Sequence, residues 1–183
     1  MQGKVNDVGQ VLTSKNTCTN FNRPNKLYKY LPPCTKVVFD YGCGKYPHNE
    51  NICIEKGIDW YGYDPYWKSE EENKLFIEKL NNVKLILNEE NKNDFVFLCS
   101  NVLNVLDSET EIENILKFLY ESGTIGSIYL FSCYRGNSSG IGKETKKDCW
   151  QRNEKPFIWK KRFEKHFSVL YILDDIFICR KDF

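Results

Sequence analysis

The chain has 183 residues, which is enough for one domain whose core needs neither disulfides nor metal. Its formal net charge of +1 excludes a uniformly basic nucleic-acid-binding protein. No apolar run approaches the roughly 20 residues of a membrane-spanning helix, and the first residues lack the apolar core of a signal peptide, so we expect a cytoplasmic protein.

The spacing of the eight cysteines favours free thiols over disulfides or zinc ligands. No two of them stand in a Cys-x-x-Cys arrangement, and two histidines, His48 and His166, are too few for a mixed zinc cluster. Three lie in apolar, strand-like runs, where a reduced cysteine acts as a small hydrophobic residue. We therefore predict reduced cysteines and no metal site.

The first half of the chain is predicted to alternate strands and helices after an N-terminal arm. Residues 1–33 are interpreted as a polar arm with a short helix that begins near Pro24, because Pro32 and Pro33 stop any further helical turn. Ser69 and Glu72 form a capping box that opens a longer helix. In chain order we expect a strand at 36–40, a helix at 49–56, a strand at 59–64, the helix from residue 70, and a strand at 94–99.

The apolar residues 83–87 predict a further strand, but its place in a parallel sheet is not defined by the sequence. Only seven residues separate Leu87 from Phe95, whereas a parallel crossover needs roughly a dozen or more. Two alternatives stay open for this segment. It is either an antiparallel or edge element, or a degenerate third strand–helix unit.

The second half of the chain predicts one strongly amphipathic helix, a strand, a polar loop and a terminal hairpin. Ser108 and Glu111 form a second capping box, and Gly123 closes the helix that follows. The expected order is this helix, a strand at 125–133, the loop, a helix at 156–166, and strands at 168–173 and 176–180 joined by a tight turn. The whole pattern predicts an α/β fold for residues 34–183, a Rossmann-like, doubly wound, mostly parallel sheet with a C-terminal antiparallel hairpin.

The segment around the first predicted strand carries the strongest functional signal. Three apolar residues run into Asp40, and the turn Gly42-Cys43-Gly44 follows at once. Twenty residues after Gly44, the second strand ends in Asp64. Glycines allow a tight turn beneath a ligand, and the second acid can receive ribose hydroxyls, so the pattern predicts a nucleoside-binding unit. The alternative is that the glycines form only a turn and that Asp64 is a surface cap.

Three stretches resemble motifs of the class I S-adenosylmethionine-dependent methyltransferases, namely residues 40–45, 62–66 and 99–106. They are most similar to small bacterial and phage proteins described as methyltransferases, one branch of which is associated with DNA phosphorothioation. The similarity covers about residues 23–120. It implies S-adenosylmethionine as cofactor, with the ligand ammonium group on Asp40, directly or through water, and the ribose on Asp64. The implied cofactor-binding residues are Asp40, Tyr41, Gly42, Cys43, Gly44, Tyr46, Asp64, Pro65, Tyr66, Cys99, Ser100 and Asn101.

Two features depart from this resemblance. Tyr46 stands where the motif has its third glycine, which suggests a wider turn and places Tyr46 to cover the ligand. The box with which amino-methylating DNA enzymes hold an extruded base is absent after the strand at 94–99. Cys99 as a nucleophile is a weak alternative without a preceding proline. Asn101 is the candidate catalytic residue, as a hydrogen-bonding partner of the methyl acceptor.

Basic residues are concentrated in the segment 135–165, which contains ten basic and four acidic side chains. Tryptophan and phenylalanine are interleaved with them, which is typical of surfaces that bind single strands or nucleotides. We expect a substrate-side loop at about 134–158; the alternative is a solvated loop before an amphipathic helix. The candidate substrate-binding residues are Lys143, Lys146, Lys147, Trp150 and Arg152.

The sequence thus favours an S-adenosylmethionine-dependent methyltransferase that acts on a nucleic acid or a nucleotide. A first alternative is a non-catalytic module that binds this cofactor or its demethylated product and acts through a partner protein. A second alternative is a nucleotide-dependent oxidoreductase, against which Tyr46 argues, because a pyrophosphate loop needs the full set of glycines.

Overall fold

A computed structural model of the chain describes residues 26–45, 47–86, 94–146 and 149–183. The predicted arm up to residue 25, Tyr46, Leu87 and Lys147 therefore lie outside the described residues. The strands are β1 Val37–Tyr41, β2 Asp59–Tyr63, β3 Phe95–Ser100, β4 Ile128–Ser132, β5 Lys143–Lys146, β6 Cys149–Gln151, β7 Ser168–Leu173 and β8 Ile176–Arg180. The helices are α1 His48–Glu55, α2 Glu70–Ile86, α3 Glu109–Ser122 and α4 Pro156–Phe163, with short 3-10 helices at Lys26–Tyr30 and Leu103–Val105.

Six of the described strands form one mixed sheet in the order β2-β1-β3-β4-β8-β7. The pairs β1–β2, β1–β3 and β3–β4 are parallel, whereas β8 is antiparallel to both β4 and β7. This confirms the predicted α/β fold, its mostly parallel sheet and its terminal hairpin. Because β2 and β3 lie on opposite sides of β1, the strand order reverses at β1, and the carboxyl ends of β1 and β3 open the crevice in which such sheets bind ligands.

The two faces of the sheet bury two separate apolar cores, because successive side chains of a strand point to opposite faces. Phe39 and Phe97 face the larger core, which includes residues of α2, α3 and α4. Val38 and Leu98 face the smaller one, with Leu27 and Tyr28 of the first 3-10 helix and Cys53 of α1. The helices are thus divided between both faces, as a doubly wound sheet requires.

The strand predicted at residues 83–87 is wrong. Val83 to Ile86 continue α2, whose buried residues Phe76, Leu80 and Val83 follow one another at helical spacing. An apolar run of this length fits either element, and here it continues the helix. Among the described residues β3 is therefore the next strand after β2, and β2 is an edge of the sheet that they form.

Local capping signals were accurate predictors of helix starts. Ser69 and Glu72 form the reciprocal pair of a capping box, with the Glu72 N–H donating to Ser69 Oγ at 3.1 Å and the Ser69 N–H to Glu72 Oε2 at 2.8 Å. Ser108 Oγ accepts from the Glu111 N–H at 3.2 Å. Pro156 occupies the first turn of α4.

Three features differ from those expected, and one of them is the end of α4, at Phe163 instead of residue 166. β4 begins at Ile128, not at residue 125, because Thr124 and Ser127 close a turn through the Ser127 N–H and the Thr124 carbonyl at 3.0 Å. The polar loop contains the antiparallel hairpin β5–β6. No helix among the described residues is long and apolar enough to cross a membrane.

Candidate ligand-binding site

The turn after β1 packs tightly against the end of β2 and the loop after β3. Gly42 and Gly44 have φ values of +75° and +77°, in the left-handed region that glycine adopts without strain. The N–H groups of Gly42 and Cys43 both donate to the Tyr63 carbonyl, at 2.8 and 3.1 Å. A Cβ on Gly42 would meet a methyl group of Val102 at 2.2 Å. Gly42 is therefore required both by its backbone angle and by the loop after β3.

Asp64 joins this turn to the one that follows β2. Its Oδ2 accepts from the Gly44 N–H at 3.0 Å, and its Oδ1 from the N–H groups of Tyr66 and Trp67 at 2.9 and 3.2 Å. Asn73 of α2 bonds the Asp64 backbone N–H at 3.0 Å. Burial raises the pKa of Asp64, and these backbone donors oppose the rise. A carboxylate has about four acceptor positions, so three donors leave one for a ligand.

Asp40 is the most deeply buried charged group at this edge of the sheet, with 1% of its surface exposed. Its Oδ2 accepts from the Tyr28 hydroxyl and from the Asn49 amide, both at 3.0 Å. Its Oδ1 is buried and accepts no hydrogen bond within the described part of the chain. Burial raises the pKa of Asp40 to about 6; the bonds from Tyr28 and Asn49 oppose the rise, and the charge of Asp64 adds to it.

A tryptophan continues the hydrogen-bond chain behind Asp40. Trp60 Nε1 donates to the Tyr28 hydroxyl at 2.8 Å. The indole fits because Gly62 has no side chain: a Cβ there would meet the Trp60 ring at 2.2 Å and Cys43 Sγ at 2.8 Å. Sequence reasoning missed four residues of this site, and no sequence motif marks them. They are Tyr28, Asn49, Trp60 and Asn73.

Asn101 ties the ends of β3 and β4 together. It adopts a positive φ of 56°, and its N–H donates to the Ser132 carbonyl at 2.7 Å. Its Oδ1 accepts from Ser132 Oγ at 3.2 Å and from the Tyr134 N–H at 3.1 Å. The side-chain NH2 donates to no residue that the structure describes, so the amide keeps a donor for a ligand. Ser100, beside it, is half-buried.

Three of the residues predicted to bind the cofactor have side chains that lie in the core. Tyr41 is 5% exposed and stacks on Tyr63 at a centroid distance of 5.1 Å. Cys99 is 1% exposed, and burial raises its pKa, so the alternative that it acts as a nucleophile is wrong. The thiol of Cys43 is also buried. At these three positions only the backbone is left to line a ligand.

The other predicted positions lie in turns at the same edge or outside the described residues. Pro65 and Tyr66 are half-buried in the turn after Asp64. Tyr46, predicted to cover the ligand, lies outside the described residues.

The hairpin β5–β6 is docked on the carboxyl edge of the main sheet. Gln151 Nε2 donates to the Tyr134 carbonyl at 2.8 Å, just after β4. Gln151 Oε1 accepts from the Asn104 amide at 3.3 Å, and the Arg152 N–H donates to the Asn104 carbonyl at 2.9 Å, just after β3. Lys143 is exposed and Trp150 is half-buried in this hairpin. Lys146 ends β5, and Lys147 lies outside the described residues.

Arg152 does not belong to the substrate surface predicted for it. Its side chain is 10% exposed and donates from Nη1 to the carbonyls of Leu106 and Asp107 at 2.9 and 3.1 Å. It also bonds Glu154 at 3.2 Å and pairs with Glu109. Arg162 pairs with the same two glutamates. We call Glu109, Arg152, Glu154 and Arg162 the arginine network.

Other basic residues of the segment 135–165 are paired as well. Arg135 bonds Asp174 at 2.9 Å, and Lys160 and Lys165 lie within 3.4 and 3.6 Å of Glu164 and Glu113. The excess positive charge that the sequence shows is therefore only partly available to a partner. Among the described residues, no group of three or more His, Cys, Asp or Glu side chains could hold a metal ion.

Comparison with known proteins identifies the fold. No protein-family model and no curated protein sequence matches the chain. A S-adenosylmethionine-dependent methyltransferase from Clostridium acetobutylicum aligns with a TM-score of 0.52 at 11% identity, over 86% of this chain and 87% of that one. The glycopeptide N-methyltransferase MtfA bound to S-adenosylmethionine aligns with a TM-score of 0.52 at 11% identity, over 88% and 95%.

A third solved structure concerns the conversion of a disulfide bond into a thioacetal group during echinomycin biosynthesis. It aligns with a TM-score of 0.54 at 12% identity, over 87% of this chain and 82% of that one. At these identities the likeness shows a shared fold.

Proposed function

We propose that this chain binds S-adenosylmethionine across the carboxyl ends of β1 and β2 and transfers its methyl group to an acceptor. The observation that carries the proposal is Asp40, a buried carboxylate beside the glycine turn, whose Oδ1 has no donor among the described residues. A buried acceptor without a donor is costly, and a ligand ammonium group would satisfy it. The fold shared with solved methyltransferases supports the same conclusion.

The remaining site residues fit the other parts of this ligand. The turn at Gly42 and Gly44 allows the methionine tail to approach the backbone, and Asp64 has an acceptor position left for a ribose hydroxyl. When bound, the cofactor supplies an electrophilic sulfonium methyl group. The task of the chain is then to align an acceptor with that group, and alignment alone can supply a large part of the rate enhancement.

Asn101 is proposed to orient the acceptor through its side-chain NH2. The thiols at this edge are buried, so the proposed reaction is a direct transfer without a covalent enzyme intermediate.

We propose a nucleotide or a nucleic acid as acceptor. The hairpin β5–β6 supports this proposal, because it is docked beside Asn101 and carries Lys143 and Trp150 on the edge where the acceptor would enter. A cation can contact a phosphate and an indole can stack on a base. The pairing of Arg135, Arg152 and Arg162 within the protein limits this surface to few cations.

Calorimetry with S-adenosylmethionine and with NAD tests the proposed cofactor. We expect the wild type to bind the former only, and Asp64→Asn to weaken it by roughly tenfold, the equivalent of one charge-assisted hydrogen bond. Asp59→Asn is the matched control, because Asp59 is exposed at the opposite end of the same strand. Binding of NAD alone would overturn the proposal.

Transfer of a labelled methyl group to separate pools of DNA, RNA, nucleotides, protein and small molecules tests the activity. Incorporation into a nucleic acid or nucleotide pool, lost in Asn101→Ala, is the expected result. Cofactor binding without incorporation into any pool would favour the non-catalytic module.

A further inference from the structure

Tyr28 lies in the first 3-10 helix, before the strand–helix units, yet its hydroxyl is part of the site. Tyr28 is 3% exposed. The indole N–H of Trp60 can only donate, so the Tyr28 oxygen must accept at their 2.8 Å contact. The Tyr28 hydrogen is then directed to Asp40 Oδ2 at 3.0 Å. The direction of this chain from Trp60 through Tyr28 to Asp40 is therefore fixed by chemistry.

Asn49 of α1 donates to the same oxygen of Asp40 at 3.0 Å. Donors from two different elements thus hold Oδ2, which fixes the plane of the carboxylate. Oδ1 is left as a buried acceptor. One oxygen of Asp40 therefore accepts two hydrogen bonds, and the other has no donor among the described residues. Such an arrangement leaves a buried acceptor for a ligand.

We propose that Tyr28 and Trp60 are positioning residues of the ligand site, which hold Asp40 ionised and oriented so that its second oxygen receives the ammonium group of the ligand. This inference rests on the proposed function, which it deepens. It predicts that affinity for the ligand is lost on protonation of Asp40, and that Tyr28 sets the pH at which this happens.

The surroundings of Asp40 make this dependence specific. Burial raises its pKa to about 6 although the hydrogen bonds from Tyr28 and Asn49 favour the ionised form, so the pKa would be higher still without the bond from Tyr28. The pKa of Tyr28 itself is raised well above its ordinary value, mainly by burial, so Tyr28 keeps its proton throughout the neutral range. The polar and titratable groups around Asp40 are Tyr28 from the 3-10 helix, Asn49 and Cys53 from α1, Trp60 from β2, Asp64 after it and Cys43 from the glycine turn. Cys99 of β3 lies on the opposite face of the sheet, in the larger core.

The test is the affinity for S-adenosylhomocysteine, which keeps the ammonium group, measured by calorimetry between about pH 5 and pH 7.5, where an α-amino group is still protonated. Wild-type affinity should fall as the pH drops through about 6. Tyr28→Phe removes a hydrogen bond that favours the ionised form of Asp40, so the pH midpoint of the loss of affinity should move upward by roughly half to one pH unit. Well above that midpoint the affinity itself should change much less. Trp60→Phe keeps the Tyr28 hydroxyl and should move the pH midpoint in the same direction by a smaller amount.

Tyr30→Phe in the same 3-10 helix is the matched control and should leave the midpoint unchanged. A uniform loss of affinity at every pH in Tyr28→Phe, with the midpoint unchanged, would show a merely structural role and overturn the inference. Absence of wild-type binding at every pH would instead overturn the proposed function, and this inference with it. Should Tyr28→Phe not fold, as judged by thermal unfolding, the shift in Trp60→Phe decides the question.

Discussion

The carboxyl edge of β1 and β2 and the arginine network both bury charged side chains, but they do so in opposite ways. In the network, Arg152 and Arg162 each face the carboxylates of Glu109 and Glu154. At the edge of the sheet, Asp40 and Asp64 accept from hydroxyl, amide and backbone donors, and burial raises the pKa of both.

The comparison separates charges that hold the fold from charges that await a ligand. A buried pair is costly to form but its partners satisfy each other, whereas a buried acid without a cation destabilises the ionised protein. Such an acid is understandable where a ligand supplies the missing cation. Removing a buried charge should therefore lower the free energy of unfolding in the network and raise it at Asp40.

The largest effect is expected in the network. Arg152→Ala should lower the free energy of unfolding by about 3–4 kcal/mol, because it leaves Glu154 buried without one of its partners. Urea denaturation measures this change. Lys160→Ala breaks an exposed pair with Glu164 and should cost less than about 0.5 kcal/mol. A loss below about 1 kcal/mol in Arg152→Ala would contradict the structural role of the network and return Arg152 to the substrate-binding candidates.

The next largest effect on stability is expected at the glycine turn after β1. Gly42→Ala combines a positive φ with a Cβ placed 2.2 Å from a methyl group of Val102, and should lower the free energy of unfolding by about 3 kcal/mol. Gly57→Ala is the matched control, because Gly57 has a φ of +67° but no atom within 4 Å of the added Cβ. Its cost should be about 1 kcal/mol, from the backbone alone. Equal losses in the two variants would show that the contact with Val102 is not tight.

Asp40→Asn should change the free energy of unfolding in the opposite direction and stabilise the protein at neutral and higher pH. The pKa of Asp40 is raised from 3.8 to about 6, so its contribution to stability is full below its ordinary pKa and is lost as the pH rises through about 6. Removing the charge should thus raise the free energy of unfolding at about pH 8 by about 1–2 kcal/mol, and the gain should vanish near pH 4.

The same variant should bind S-adenosylhomocysteine more weakly, because its side chain no longer carries a charge for the ammonium group. A variant that is less stable than the wild type at pH 8 would contradict this account. It would mean that Tyr28 and Asn49 compensate fully for the burial of the carboxylate.

The smallest effect is expected at the hairpin. Replacing Lys143, Lys146 and Lys147 with alanine should weaken binding of single-stranded DNA by severalfold, and should reduce the salt slope by about 0.7 for each phosphate contact removed. Titrations at several salt concentrations measure both quantities. Unchanged affinity and slope would remove this surface from the proposal.

A control with the same change of charge uses lysines distant from the carboxyl edge. Lys36 and Lys56 precede β1 and β2 at the opposite edge of the sheet, and Lys117 lies on α3. Alanine at these three positions should leave both the affinity and the salt slope nearly unchanged.

Local sequence patterns predicted most of the fold. The capping boxes at Ser69 and Ser108 and the hairpin strands at 168–173 and 176–180 are found as predicted, because caps and turns depend on neighbours within a few residues. The segment 83–86 was misassigned because an apolar run has no preference of its own between strand and helix. The hairpin β5–β6 was missed because its contacts to Asn104 and Tyr134 are distant in sequence.

The sequence by itself determined where strands end, which glycines permit a turn and which two acids follow them, because each of these depends on a few consecutive residues. Only the tertiary structure decided which charges lose their water and which find a partner. Tyr28 reaches Asp40 across 12 positions of the chain, and Arg152 reaches Glu109 across 43. Burial and pairing are properties of what the folded chain brings together, and they distinguish an acid that awaits a ligand from an arginine that holds the protein together.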